Sequence, residues 1–189
     1  MAIDVAVARR LFTREEYHRM GEVGILKATD RVELIRGEIV EMSPIGRRHY
    51  AFVNNLSQLL IMRIGGHAIV AVQGPIALAD DTEPEPDLAV IRRRIPSYKE
   101  REAYTEDAFL LIEVAESSLA YDRSTKLKLY AAAGIPEYWV VDCVAESIEI
   151  HRTPQADGYR ETVRIADPTA TVAPQAFPDV VLTLAEIFA

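Results

Sequence analysis

The sequence has a single cysteine, Cys143, so no internal disulfide is possible. A chain without covalent cross-links is expected in a reducing compartment, and the expected location is cytoplasmic. No apolar run reaches the ~18 residues that a membrane helix needs, so no membrane association is expected. The opening "MAIDVAVARRLFTREEYHRM" lacks a basic start, a long apolar stretch and a small-residue cleavage site, and does not read as a signal peptide. Positive charge is also short. Lys and Arg number 21 against 29 Asp and Glu, giving a net charge of −8. That argues against binding nucleic acid through the whole surface and leaves room only for a local patch. Three familiar chemistries have no signature here: there is no G-x-S-x-G elbow, no G-x-x-x-x-G-K-[ST] phosphate loop and no zinc-like His/Cys spacing. The histidines, His18, His49, His67 and His151, are scattered.

What is present is ample apolar content, 49%, in 189 residues, which suits one domain over 1–189 with a real core. "TREEYHRM" (13–20) reads as a helix with Thr13 as N-cap and Glu16 completing a capping box. "RVELIRGEIVEMSP" (31–44) reads as a hairpin turning at Arg36-Gly37. In "HYAFVNNLSQLLIMRIGG" (49–66), Val53, Leu56, Leu60 and Ile64 form a helical stripe that Gly65-Gly66 ends. Strands are expected at 68–78, bent near Gly74-Pro75, at 86–91 and at 109–115. The last is near-continuously apolar and therefore central. A helix over 122–134 starts with Asp122 as N-cap or first-turn acid and stops at Gly134. A strand at 137–142, a hairpin from "SIEIHR" and "YRETVRI", and a closing strand with a helical turn complete the chain. The order of elements predicts a mixed α/β fold.

One charge interrupts the central strand. Glu113 lies inside "LLIEVA" (110–115), where an isolated carboxylate is costly. Alternate strand residues share a face, so Leu111, Glu113 and Ala115 point one way, and Asp87, Ala89 and Ile91 share one face of the preceding strand. If the strands are neighbours, Asp87 and Glu113 converge. Two close carboxylates require a shared proton or a cation, and hard oxygen donors of this kind suit Mg2+. A buried salt bridge or an exposed strand end would also account for Glu113 alone.

A lysine would complete a phosphodiesterase site. The next position on the Glu113 face is Ala115. The helix that follows offers Lys126 and Lys128, which at ~100° per residue point to nearly opposite sides. Asp122, Lys126 and Tyr130 share one stripe at i, i+4 and i+8. On spacing alone Lys126 reads first as a surface salt bridge to Asp122.

The segments "VELIRGEIVEMSPIGRRH", "VQGPIAL" with "EPEPDLAVI", and "LLIEVAESSLAYDRSTKLKLYAAAGIPEYWVVD" together resemble the Uma-type restriction endonucleases, a branch of the PD-(D/E)XK nuclease superfamily. They span 32–142 in order and mark the core. The resemblance implies a restriction-endonuclease-like α/β (α+β) core. In it a mixed central sheet is flanked by helices, with an added N-terminal hairpin and C-terminal strands. It implies hydrolysis of DNA with Mg2+ or Mn2+. Pro86-Asp87 match the PD dipeptide and Glu113 the second acid. The lysine expected at 115 is displaced onto the next helix, where Lys126 matches. Glu33 matches a recurrent acidic position in the hairpin, and the Val114 carbonyl would be a metal ligand. Gln73, Asp122 and Tyr130 fall at recurrent positions, read as supporting ones, and His49 opens the first core helix, where it could touch phosphate. Charge adds Arg47, Arg48, Arg92, Arg93 and Arg94 as phosphate contacts. Cutting both strands of a duplex favours a homodimer. Two other classes stay open: an inactive nucleic-acid-binding or regulatory protein on a nuclease fold, and a protein-interaction module in which Glu113 is merely ion-paired.

Overall fold

The computed structural model describes residues 8–27 and 29–189. The start of the segment read for a signal peptide therefore lies outside the described residues. Helix α1 (Arg14–Glu22) begins as expected: Thr13 accepts from the Glu16 N–H, and the Glu16 carboxylate accepts from the Thr13 N–H. None of its residues is buried. It is held by polar contacts and by the segment before it, which crosses the first hairpin.

That hairpin pairs β1 (Val32–Ile35) with β2 (Glu38–Glu41) in the register Ile35↔Glu38. Its two-residue turn takes positive φ at both positions, 51° at Arg36 and 77° at Gly37. Gly37 is needed twice over, because a Cβ there would also meet Leu11 Cβ at 2.5 Å. The Arg36 N–H is held by Thr82 Oγ1 at 3.1 Å.

Helix α2 runs from Arg47 to Ile64 and buries Phe52, Val53, Leu56, Leu60 and Ile64 along one stripe. Fully buried leucines such as Leu56 and Leu60 each contribute about 1.5–3 kcal/mol. The stripe lies on a six-stranded sheet, ordered β3 (Ala68–Val72), β4 (Leu88–Arg92), β5 (Ala108–Ala115), β6 (Glu137–Asp142), β7 (Ser147–Gln155) and β8 (Gly158–Ile165). Within it β5 and β6 are parallel and the other neighbours antiparallel. Both lie mid-sheet, which explains why "LLIEVA" and "EYWVVD" read as continuous apolar runs.

The parallel pair needs a crossover, and its helix is irregular. A short α3 (Leu119–Tyr121), a π-helical turn (Asp122–Lys126) and α4 (Leu127–Ala132) run on without a break. The helix thus starts three residues before Asp122, which is not its N-cap but closes its first turn and opens the π-helical one. Asp122 instead accepts a 2.5 Å hydrogen bond from Ser118 Oγ. The wider turn has a local cause: Ser124 Oγ donates to the Ala120 carbonyl at 2.6 Å, competing with the backbone ladder. Gly134 (φ 76°) follows the helix end.

The sheet separates two apolar clusters. Leu88, Val90, Leu110, Ile112 and Val114 face α2 and α5 (Leu184–Ile187); α5 follows β10 (Leu182–Thr183), which pairs with β9 (Thr171–Val172). Ala89, Ile91, Leu111 and Ala115 face the other way, toward Tyr130 and Tyr138. Glu113 shares the second face.

Candidate active site

Strands β4 and β5 are antiparallel neighbours with Leu88 opposite Ile112, so Asp87 and Glu113 fall side by side. The Asp87 N–H lies 3.4 Å from Glu113 Oε2. The convergence expected from strand parity is therefore real. Both residues line a cleft of about 390 Å³ at the carboxyl end of β5, roofed by the hairpin and by the segment 116–126. Asp87 Oδ2 accepts from the Val114 N–H at 2.9 Å, and Asp87 Oδ1 faces His49 Nε2 at 2.8 Å.

Lys126 is buried in this cleft. Its Nζ donates to Glu33 Oε2 at 2.5 Å and lies 3.3 Å from Glu113 Oε1. It is not a surface partner of Asp122. Lys128 is exposed, as the opposed helix angles require. Glu33, on β1, is also buried, and accepts from the Glu85 N–H at 3.3 Å. Tyr130 completes the group: its hydroxyl donates to Glu113 Oε1 at 2.6 Å. Gln73, with φ 49°, donates its N–H to the Asp87 carbonyl at 3.0 Å and so fixes the backbone behind Asp87.

The charges are unbalanced. Six carboxyl groups line the cleft, from Glu33, Glu41, Asp87, Glu113, Glu116 and Asp122, against the two cations Lys126 and Arg31. Burial pushes the Glu113 carboxyl up to about 8, and Asp87 and Asp122 push the same way; Lys126 and the Tyr130 hydrogen bond oppose them without prevailing. Burial likewise raises Asp122 to about 6, against the opposing Ser118 hydrogen bond and Lys126. On Lys126 burial works against the charge, but Glu113 and Glu33 outweigh it and lift the ammonium above its ordinary value. The lysine is thus a fixed cation, while Glu113 and Asp122 are pushed toward their protonated forms because the cations beside them are too few. Hard oxygen donors with uncompensated charge, on rigid strand positions, fit a divalent cation.

The arginines divide. Arg47 and Arg48 are exposed at the start of α2, beside His49. Arg92, Arg93 and Arg94 lie at the opposite end of β4, about 17 Å along the strand from Asp87. They are engaged there: Arg92 with the Glu106 carbonyl at 3.0 Å, Arg93 with the Gly66 carbonyl at 3.2 Å, and Arg94 with Asp107. They do not line the cleft.

Sequence reasoning missed Glu116. Its Oε2 accepts from the His49 N–H at 3.2 Å and supplies the N-terminal cap that Gly46 cannot. A signal was there. The helix opens with Gly46, Arg47 and Arg48, two cations at the positive end of the helix dipole and no capping side chain, so an acid had to come from elsewhere. Arg31, Glu41 and Tyr121 also line the cleft without having been singled out.

Comparisons with known proteins agree with this architecture. No curated protein matches the chain. The structure is similar to a crystal structure from Anabaena variabilis, described as "a putative nuclease belonging to DUF820", with TM-score 0.75 and 19% sequence identity over 94% of this chain and 97% of that one. At that identity the likeness shows the fold alone, a six-stranded mixed sheet flanked by helices. The model of the Uma2 family, described as "Putative restriction endonuclease", matches residues 14–185. With nearly its whole length matched, the chain belongs to the Uma2 family.

Proposed function

We propose that this chain is a divalent-metal-dependent endonuclease that hydrolyses phosphodiester bonds in DNA. The observation that carries the reading is the buried Lys126 ammonium, held 2.5 Å from Glu33 and 3.3 Å from Glu113 in the cleft that Asp87 also lines. The family match and the nuclease description of the similar structure support it. Asp87 and Glu113 would hold the cation, with the Val114 carbonyl as a further donor. When bound, Mg2+ or Mn2+ supplies a Lewis acid toward the scissile phosphate and lowers the pKa of water beside it.

The chain's own groups do the rest. Lys126 stays charged at neutral pH, so it can orient the attacking water and offset charge that develops on the phosphate. Glu33 fixes the ammonium in place. The Tyr130 hydroxyl holds Glu113 Oε1 and so restrains the carboxylate's rotation. Arg47 and Arg48, exposed beside His49, would draw in the DNA backbone. Two copies of the site, as in a homodimer, would serve a double-strand cut. A binding protein without catalysis has less use for this arrangement, because six carboxylates repel a bare phosphate.

The test is plasmid nicking with Mn2+, comparing wild type, Glu113→Ala, Lys126→Ala and Lys128→Ala. Glu113→Ala is expected to be inactive, Lys126→Ala slower by ~10²–10³-fold, and Lys128→Ala unchanged. If Lys126→Ala cuts normally while Lys128→Ala does not, the lysine is misassigned. Wild type that neither binds metal nor cuts DNA ends the reading, and cleavage of RNA alone corrects the substrate.

A further inference from the structure

We propose that His49 is itself a ligand of the cation, so that the site favours Co2+ and Mn2+ over Mg2+; this rests on the metal-dependent reading above. Of the two Asp87 oxygens, Oδ2 is committed to the Val114 N–H, which leaves Oδ1 as the oxygen available to a cation. His49 Nε2 stands 2.8 Å from that same atom. Two donors that share an ion at right angles, with bonds of ~2.1 Å, lie ~3 Å apart. The spacing already present is the spacing that shared ligation needs.

The rest of the residue is arranged for it. The His49 backbone is pinned through its N–H to Glu116, and its side chain is only 13% exposed. Its Nδ1 is buried and has no hydrogen-bond partner among the described residues. Asp87 Oδ1 therefore favours the proton on Nε2, the position a cation would take over, and no acceptor at Nδ1 competes for it. With a cation in place of that proton, the neutral ring would carry its proton on Nδ1, and Nε2 and Asp87 Oδ1, 2.8 Å apart, would both be free to face the ion. Among the described residues His49 is the one imidazole lining the cleft; Arg31 and Lys126 are cations and the other ionisable groups there are carboxyls and the Tyr121 phenol. Imidazole nitrogen discriminates among ions. It gains affinity along Mn2+ < Co2+ and offers little to Mg2+, which prefers oxygen and keeps its waters.

The experiment measures ion binding rather than cleavage. Mg2+, Mn2+ and Co2+ are titrated calorimetrically into the full chain as wild type, His49→Ala and His49→Gln, with thermal melts to confirm folding. Pulsed EPR of the Mn2+ complex reads directly coupled ¹⁴N. Wild type should bind Co2+ and Mn2+ at least ~10-fold more tightly than Mg2+. His49→Ala should lose affinity ~3-fold or less for Mg2+, ~10-fold for Mn2+ and more for Co2+, and should lose the nitrogen coupling. His49→Gln keeps a hydrogen-bond donor toward Asp87 and should behave like His49→Ala. Equal losses for the three ions, restoration by His49→Gln, or a Mn2+ complex without nitrogen coupling would overturn the ligand role while leaving the metal reading intact. Absence of binding of any ion to wild type would overturn both.

Discussion

Two clusters in this molecule look alike on paper. In one, Lys126 sits among Glu33, Glu113 and their neighbours. In the other, His18, Glu83 and Glu102 bring three donor atoms within 4.8 Å of one another. The second is the better metal site by spacing alone. It is also already neutralised: Arg14 Nε lies 2.7 Å from Glu83, its other nitrogen contacts Glu102, and His18 Nε2 is 2.8 Å from Glu83. Every carboxylate there has a fixed partner, and the partners lie on α1, a helix with no buried residue. That cluster fastens α1 to the body. In the cleft one ammonium serves several carboxylates, and two of these carry raised pKa values. Unsatisfied charge, more than donor proximity, separates a site from a fastening.

The largest effect that can test this contrast is at Glu113. Glu113→Gln should abolish cleavage, by ~10³-fold or more, and should nevertheless stabilise the metal-free protein at alkaline pH. The sign follows from linkage. The folded chain holds the Glu113 proton up to about 8, against 4.5 for the ordinary group. Its contribution to stability is therefore complete below about 4.5 and lost as pH rises through about 8. Glutamine does not titrate. The unfolding free energy of Glu113→Gln relative to wild type, followed by urea titration, should climb between those limits and level off above them, by on the order of a few kcal/mol. A difference that does not vary with pH would mean that burial does not strain this carboxylate.

Glu83→Ala should do the reverse. Removing a buried partner of Arg14 should cost about 2–4 kcal/mol, seen as a lower midpoint in urea. The rate of cleavage per folded molecule should stay within about 3-fold of wild type, since a fastening does no chemistry. A variant that keeps its stability and loses metal binding would reverse the two assignments.

The fold was largely open to reading because its signals are local. Strand parity placed Asp87 beside Glu113, the stripe from Val53 to Ile64 placed α2, and the Arg36-Gly37 turn placed the hairpin. The lysine was not open in this way. On spacing Lys126 reads as a surface partner of Asp122, and only resemblance brought it to Glu113. What decides its burial is the hairpin carrying Glu33, 93 residues earlier in the chain. The π-helical turn was hidden too, because it depends on whether the Ser124 hydroxyl turns back to Ala120 or outward to water. The arginines at 92–94 were misplaced for a third reason: a count of charge does not say which end of a strand faces the site.

That last point gives the smallest prediction. If Arg47 and Arg48 lie on the DNA path, replacing either with Ala should weaken DNA binding and reduce the slope of log affinity against log salt by about 1. Arg94→Ala should leave that slope unchanged, because its guanidinium is tied to Asp107 at the other end of β4. It should instead lower stability only slightly, since Asp107 keeps Arg101 at 3.0 Å and is not left unpaired. Fluorescence anisotropy at several salt concentrations, with Ca2+ in place of Mg2+ to hold back cleavage, separates the two ends of the strand. An equal change of slope at Arg94 would put DNA across the whole sheet rather than at the cleft alone.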